Sequence, residues 1–461
     1  MAQNYKHVKR KISPTTAKIL IISAIALVFL LGLFAIYKFV LTNPKYIDNN
    51  PTEPATEQIE TQEPTEAPTQ EPTQAPIVID EKYMNMAKEY IKDMSDKEKF
   101  CQMMIVTPES LTGVDVATVA GDATKEALEK YPVGGIIYFS QNLEDKDQTT
   151  EMIKNSQSYS KTPMFIAIDE EGKTVARAEE KLDVTKFENM YKYKDKGEKT
   201  AYDNAKTIAS DISKFGFNLD LAPVADVWSN PSNTVIGERA YSDDFGQAAS
   251  LVSSAVKGFK DGGVMTALKH FPGHGDTTED THEKLAYVNK TKDVIINEEL
   301  LPFKSGLEAG ADMVMVGHLV VSDIDENYPA TLSPKVISQL LKEELRYDGV
   351  VISDSFQMAA ITDNYTANKI VKNAVNAGVD ILLMPENIDD YLKAFETAVK
   401  DGSITQEQID NSVTKIIALK YKNGLLTDTD SSKTSATEST EAATNSSEKA
   451  ATEAASAALN N

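Results

Sequence analysis

Val264-Met265-Thr266-Ala267-Leu268-Lys269-His270-Phe271-Pro272-Gly273-His274-Gly275-Asp276-Thr277-Thr278-Glu279-Asp280-Thr281-His282 is the stretch on which the reading of this chain turns. Its first five residues form an apolar run that suits one buried strand. Lys269 and His270 end that run with two ionisable side chains. Pro272, Gly273 and Gly275 then break any regular element, so a long polar loop follows. The chain holds only five histidines, and His270, His274 and His282 all fall here. A strand that ends in proton-moving groups and opens into a long loop suits a parallel sheet, whose ligands gather outside the C-terminal strand ends.

Working outward, the same pattern recurs. Besides Val264–Leu268, short apolar runs lie at Cys101–Val106, Gly134–Phe139, Met164–Ile168, Asn218–Ala222, Asp312–Val316, Gly349–Ile352 and Asp380–Met384. They are continuous rather than alternating, as parallel strands buried on both faces should be. Segments of helical period separate them. Ser95-Asp96-Lys97-Glu98 and Thr405-Gln406-Glu407-Gln408 have capping-box spacing, and Ser333-Pro334 suits a helix start. Polar groups follow nearly every run: Asp169-Glu170, Asp226, Lys269-His270, His318, Asp354 and Pro385-Glu386. The expected fold is therefore α/β, a (β/α)8 TIM barrel with a polar C-terminal mouth; a doubly wound open sheet is the structural rival.

The flanks differ from this middle. Lys6, Lys9, Arg10 and Lys11 precede the apolar segment Ile19–Leu41, and about 20 apolar residues suffice to cross a bilayer. The positive flank should stay inside, so residues 1–43 are expected to be an N-terminal transmembrane signal anchor with everything after them extracytoplasmic. A cleaved signal peptide is the rival, without a convincing small-residue cleavage site. Residues 44–77 are a Pro/Thr/Glu-rich disordered linker and 428–461 a low-complexity disordered tail, because neither has an apolar face to bury. That leaves 78–427, roughly 350 residues, for the barrel. The formal net charge is −23, with no basic stripe beyond the N-terminus, which argues against a nucleic-acid partner. The single cysteine, Cys101, excludes an internal disulfide framework and reads as a small buried hydrophobe.

Candidate chemistry clusters at the strand ends. Asp354, at the end of Val350-Val351-Ile352-Ser353, suits either a nucleophile or the N-cap of the next helix. His282 with Asp280 suits a proton-transfer pair, the carboxylate fixing the imidazole tautomer, or a solvated loop pair. His270 and His274 match a metal-ligand spacing only on a helix, which Pro272, Gly273 and Gly275 oppose, so no metal or other cofactor is expected. Lys269, Arg177 and Arg239 are either structural ion-pair partners or donors to ligand hydroxyls. Together these cations and carboxylates suit a polyhydroxylated ligand.

Four motifs, in order, carry a family resemblance: Ile166-Ala167-Ile168-Asp169-Glu170-Glu171-Gly172, Asn218-Leu219-Asp220-Leu221-Ala222-Pro223-Val224, Lys269-His270-Phe271-Pro272-Gly273-His274-Gly275 with Asp280-Thr281-His282, and Ile352-Ser353-Asp354. They resemble glycoside hydrolase family 3, in its single-domain β-N-acetylglucosaminidase (β-N-acetylhexosaminidase) branch, over about residues 85–425. The chain departs from the motifs at Lys173, where a second glycine is usual, and at Thr281, where serine is usual. The resemblance implies a retaining exo-β-N-acetylglucosaminidase. In it Asp354 is the nucleophile, His282 with Asp280 the acid/base, and Asp169, Arg177, Arg239, Lys269 and His270 hold the terminal sugar. The anchor and spacer add the expectation of peptidoglycan fragments as substrate, at the cell membrane, with no protein partner. A phosphorylase on the same barrel and a non-catalytic wall-binding module are the alternatives.

Overall fold

The structure is a computed structural model that describes residues 76–278, 281 and 284–427. Eight strands form one parallel, barrel-like sheet: β1 Met104–Val106, β2 Gly135–Ile137, β3 Phe165–Ile168, β4 Leu219–Asp220, β5 Met265–Phe271, β6 Met313–Val316, β7 Val350–Ser353 and β8 Leu382–Leu383. From β1 to β7 each strand pairs with the next, and β8 returns to β1 through Leu382 opposite Met104. The sheet is nearly closed. Its last gap is spanned by the single bridge Ile352–Ile381, with Ile381 N donating to Val351 O and Ser353 N to Ile381 O, both at 3.0 Å.

All eight expected runs supply strands, and the helices fall between them. Both expected capping boxes form, at Ser95 with Glu98 and at Thr405 with Gln408. The first box corrects the expected start of β1. It launches helix Asp96–Gln102, so Cys101 and Gln102 are helical and the strand begins at Met104. The Ser333 hydroxyl accepts from Val336 N at 3.3 Å, as the expected helix start requires. Sheet pairing begins at Ile77, inside the expected linker, where Ile77–Val78 pairs with Tyr347–Asp348.

Every residue of β1, β2, β3, β6 and β7 is buried, which is why their sequences do not alternate. Close packing of the strands fixes Gly135: a Cβ there would lie 2.6 Å from Phe165 O. Helix Glu81–Tyr90 and the last helix, Gln406–Lys422, join through the edge-to-face pair Tyr90–Tyr421, ring centroids 6.2 Å apart. Among the described residues no helix is long and apolar enough to cross a membrane. The expected anchor at 1–43, the tail at 428–461, and Asp280 and His282 lie outside the described residues.

Candidate active site

β5 outruns its expected end because Lys269 continues the parallel pairing, bridging to Val224 and accepting from Ala225 N at 2.7 Å. The Lys269 side chain is thereby buried at the barrel mouth. Its Nζ donates to Asp169 Oδ1 at 2.7 Å and lies 2.6 Å from Glu171 Oε1. Arg239 grips the same Glu171 in bidentate fashion, Nε to Oε2 and Nη2 to Oε1, both at 2.8 Å. Two carboxylates and two cations thus form one buried network. Burial alone would push the Glu171 carboxyl up. The charges of Arg239 and Lys269 outweigh it and hold the carboxyl well below the usual carboxylate range.

Asp169 and Glu171 flank Glu170, which points elsewhere. The hairpin Glu170–Gly172 with Val175–Ala176 turns through Gly172 at φ 104 and Lys173 at φ 43. So the lysine that replaces the usual glycine adopts the left-handed conformation itself. Glu170 accepts from Ala178 N at 2.6 Å and Glu179 N at 3.1 Å, and its own N–H donates to buried Asp220 at 2.9 Å. Burial pushes Glu170 up to about 8 despite those bonds.

The histidines after Lys269 are set by Asp226, which is wholly buried. His270 Nδ1 lies 2.7 Å from Asp226 Oδ2, and a carboxylate only accepts, so Nδ1 carries the hydrogen and Nε2 is left for the cavity that His270 lines. His274 N donates to Asp226 Oδ1 at 2.7 Å. The Thr277 hydroxyl donates to His274 O at 3.0 Å, so the 2.6 Å contact between its oxygen and His274 Nδ1 must be donated by the ring. Burial, helped by the charge of His270, pushes His274 down to about 4. It is a neutral imidazole with an accepting Nε2, 3.5 Å from the hydroxyl of Thr281. The two rings meet edge to face, centroids 5.8 Å apart.

Asp354 lines the same cavity. It follows β7, its N–H donates to Val316 O at 2.9 Å, and its Oδ1 accepts from Ser355 N at 2.8 Å. Fully buried His318 braces that turn: Nε2 donates to Ser355 O at 2.9 Å, and Nδ1 accepts from the Thr331 hydroxyl at 2.8 Å. Asp169, Glu171, Arg177, Arg239, Lys269, His270, His274 and Asp354 all line one cavity of about 370 Å³, with Phe139, Met315, Gln357 and Met358. Arg177 lies over the Phe139 ring, 5.5 Å from its centroid, and its Nε is buried without a hydrogen-bond partner. A group of that kind in a cavity wall suits a polar ligand that supplies the missing acceptor. A larger cleft of about 590 Å³ opens elsewhere, lined by Lys146, Lys154, Asp183 and Asp211. It holds none of the strand-end residues.

Six of the eight residues singled out from sequence therefore share this cavity; Asp280 and His282 lie outside the described residues. Arg239 reaches the cavity with its guanidinium already engaged by Glu171, so its position serves the network as well as any ligand. Glu171 and His274 were not foreseen as site residues. Extended backbone turns alternate residues to one side, so Asp169 implied Glu171.

Comparison with known proteins fits this geometry. The family model described as "Glycosyl hydrolase family 3 N terminal domain" matches residues 95–419. The chain belongs to glycosyl hydrolase family 3. Its barrel is similar to the structure of a glycoside hydrolase family 3 β-N-acetylglucosaminidase from Paenibacillus sp. str. FPU-7, with 34% identity, a TM-score of 0.68, and coverage of 74% of this chain and 67% of that one. A β-hexosaminidase A of Pseudoalteromonas piscicida is 34% identical over 326 residues, 64% of this chain. A β-hexosaminidase of Stenotrophomonas maltophilia (strain K279a) is 32% identical over 284 residues, 59% of this chain and 82% of that protein. This chain spans only 54% of the length of the Pseudoalteromonas relative.

Proposed function

We propose that this family 3 barrel is a retaining exo-β-N-acetylhexosaminidase that removes a terminal, non-reducing N-acetylglucosamine. The observation that carries the reading is the cavity itself. It is lined by the Asp354 carboxylate, by a buried cation–carboxylate network, by Arg177, whose Nε has no hydrogen-bond partner, and by the His270 ring. Such a cavity offers a nucleophile together with donors and acceptors for sugar hydroxyls.

In the proposed reaction an Asp354 oxygen bonds to the anomeric carbon as the bond from that carbon to the leaving oxygen breaks. His282, supported by Asp280, gives its proton to the leaving oxygen. The same imidazole then takes a proton from water, whose oxygen attacks the anomeric carbon and releases Asp354. Asp169, Arg177, Lys269 and His270 hold the terminal sugar, and Arg239 fixes Glu171 behind them. Peptidoglycan fragments are the proposed source of that sugar, with residues 1–43 as the proposed membrane anchor; both rest on the sequence of the flanks and on family likeness.

The test is turnover of an aryl β-N-acetylglucosaminide by the purified full chain, with and without phosphate. Release of free N-acetylglucosamine at a rate independent of phosphate is expected. Asp354→Ala should lose nearly all activity, whereas His282→Ala should lose less on an activated leaving group that needs little protonation. A sugar phosphate as product would make the chain a phosphorylase, and inactivity on every β-N-acetylhexosaminide would overturn the reading altogether.

A further inference from the structure

A buried ion pair lies against the turn that leaves β5, and the reaction above does not use it. Glu299 closes the π-helical turn Ile295–Glu299, in which Leu300 N reaches back to Ile295 O at 3.0 Å. Turns of this kind recur at functional sites. The helix that follows, Leu301–Glu308, sets Phe303 edge to face on Phe271 of β5, ring centroids 5.3 Å apart. Glu299 thus has a fixed place beside the end of that strand. Its side chain is 1% exposed. Oε1 accepts from Lys290 Nζ at 2.5 Å and from the Ser229 hydroxyl at 3.5 Å. Oε2 is buried without a hydrogen-bond partner among the described residues. It lies against Gly273, where a Cβ would come within 2.9 Å of Oε2 and 3.0 Å of the Glu299 Cβ. Burial pushes the carboxyl up to about 7, with Asp226 and Asp276 adding to it against the pull of Lys290.

The two groups that meet Glu299 are the two ends of one excursion of the chain. Gly273 lies on the way out from β5, and Lys290 lies two residues beyond strand Ala286–Val288 on the way back. Asp280 and His282 fall between them in the sequence. One carboxylate therefore packs on the outgoing end and pairs with the returning end, while Ser229 brings the loop after β4 to the same point. The outgoing end is fixed again by Gly273 N, which donates to His270 O at 2.9 Å, and by His274 N on Asp226. Lys290 is held in turn with its Nζ 5.1 Å from the centroid of the Phe245 ring. Apolar side chains of similar volume often serve a buried site at least as well as an ion pair does. Stability alone therefore does not account for a carboxylate at 299, whereas a tie between two ends of a loop does. Neither Lys290 nor Glu299 lines the cavity, so neither is placed to touch the sugar.

We propose that Lys290 and Glu299 are positioning residues for the reaction: they fasten both ends of segment 273–290 to one point and so set the reach of the acid/base carried on it. The proposal rests on the reading of His282 as that acid/base.

The experiment uses the full chain and compares kcat/KM for the dinitrophenyl and phenyl β-N-acetylglucosaminides, which differ in how much the leaving oxygen needs a proton. Lys290→Met keeps the apolar stem and removes the charge. Glu299 can then take up a proton instead of standing as a bare buried charge, so the fold should hold. For the phenyl glycoside kcat/KM should fall by about tenfold or more, and for the dinitrophenyl glycoside by less than about threefold. Glu299→Ala should act in the same way. Glu299→Gln keeps an oxygen for Lys290 and should return the ratio of the two substrates to within about twofold of the parent. Equal falls on both substrates would make the pair merely structural and overturn the proposal, as would parental values in both Lys290→Met and Glu299→Ala. Hydrogen exchange without substrate reads the loop independently of the activity. The amides of Gly273, His274 and Thr277 should exchange about tenfold faster in Lys290→Met, with those of helix Leu301–Glu308 as in the parent; unchanged exchange at the three amides overturns the tie. If the parent hydrolyses neither glycoside, the reading of His282 fails, and the exchange rates alone decide whether Lys290 and Glu299 hold the loop.

Discussion

Replacing Lys269 with methionine removes one charge from a buried network whose formal charges otherwise cancel. Asp169 and Glu171 supply two negative charges, Lys269 and Arg239 two positive ones. The side chains of Lys269 and Glu171 are each only 3% exposed, so water cannot stand in for the missing ammonium. Breaking a buried pair in this way costs about 3–5 kcal/mol, chiefly as an uncompensated buried charge. Glu171→Gln leaves the opposite imbalance and should cost a similar, somewhat smaller amount, because the amide retains one acceptor for Arg239. The double variant restores neutrality, with Asp169 facing Arg239. Its loss should fall short of the sum of the two single losses by about 2–3 kcal/mol.

The assay is urea unfolding of the four proteins at neutral pH. The chain has one tryptophan, Trp228, whose indole donates to Asn233 O at 3.1 Å beside the His274 loop. Its fluorescence reports this region, and far-UV circular dichroism followed in parallel checks that the transition is global. Single losses that add to within about 0.5 kcal/mol would refute the coupling, and with it the claim that Lys269 and Arg239 share one carboxylate. Strong acid supplies a second check. Glu171 is depressed when folded, so its contribution is present above the ordinary carboxylate pKa and disappears only as pH falls through the folded value. The Gln variant should lack that part of the acid-induced loss.

Three further outcomes are expected. Gly275→Ala would put a Cβ 1.7 Å from Val227 O, forcing apart the loops after β4 and β5; kcat/KM should fall by about 100-fold, and a change under twofold would show the contact to be soft. Glu170 is pushed up to about 8 by burial, so the folded chain keeps a proton that the unfolded chain has released, and stability should fall as pH rises from about 4.5 to about 8; Glu170→Gln should flatten that fall in unfolding free energy. Lys420 is fully buried, its Nζ donating to Gln102 Oε1 at 2.7 Å, and burial pushes its pKa down to about 7. The unfolded chain holds that proton over a range where the folded one does not, so stability should rise with pH between about 7 and about 10. Lys420→Met should therefore stabilise more at pH 6 than at pH 9, and equal gains at the two would contradict the burial argument.

The barrel was legible because its strands are short, continuous and apolar, and because their polar ends recur in step. The limits of that legibility are local and physical. Cys101-Gln102 read as strand because the inward face of helix Asp96–Gln102 is as apolar as β1 beside it, and a short apolar run has no period to separate the two; the capping box at Ser95 was the better signal. β4 shrank to Leu219–Asp220 because the Asn218 side chain takes over part of the pairing, its Oδ1 accepting from Ile166 N at 2.9 Å and its Nδ2 donating to Met164 O at 3.1 Å.

At the site, position was readable and charge state was not. Asp169, Glu170 and Glu171 are three consecutive carboxylic acids in one motif, and composition treats them alike. Backbone alternation sends Asp169 and Glu171 toward Lys269 and turns Glu170 to the first N–H groups of helix Arg177–Lys181. From there the neighbours diverge: burial raises Glu170 to about 8, while Glu171 is held low. The difference comes from Arg239 and Lys269, 68 and about 100 positions along the chain, which only the closing of the sheet brings to Glu171. The motif thus gives the candidate residues, and the closing sheet decides which of these acids remains ionised inside the protein.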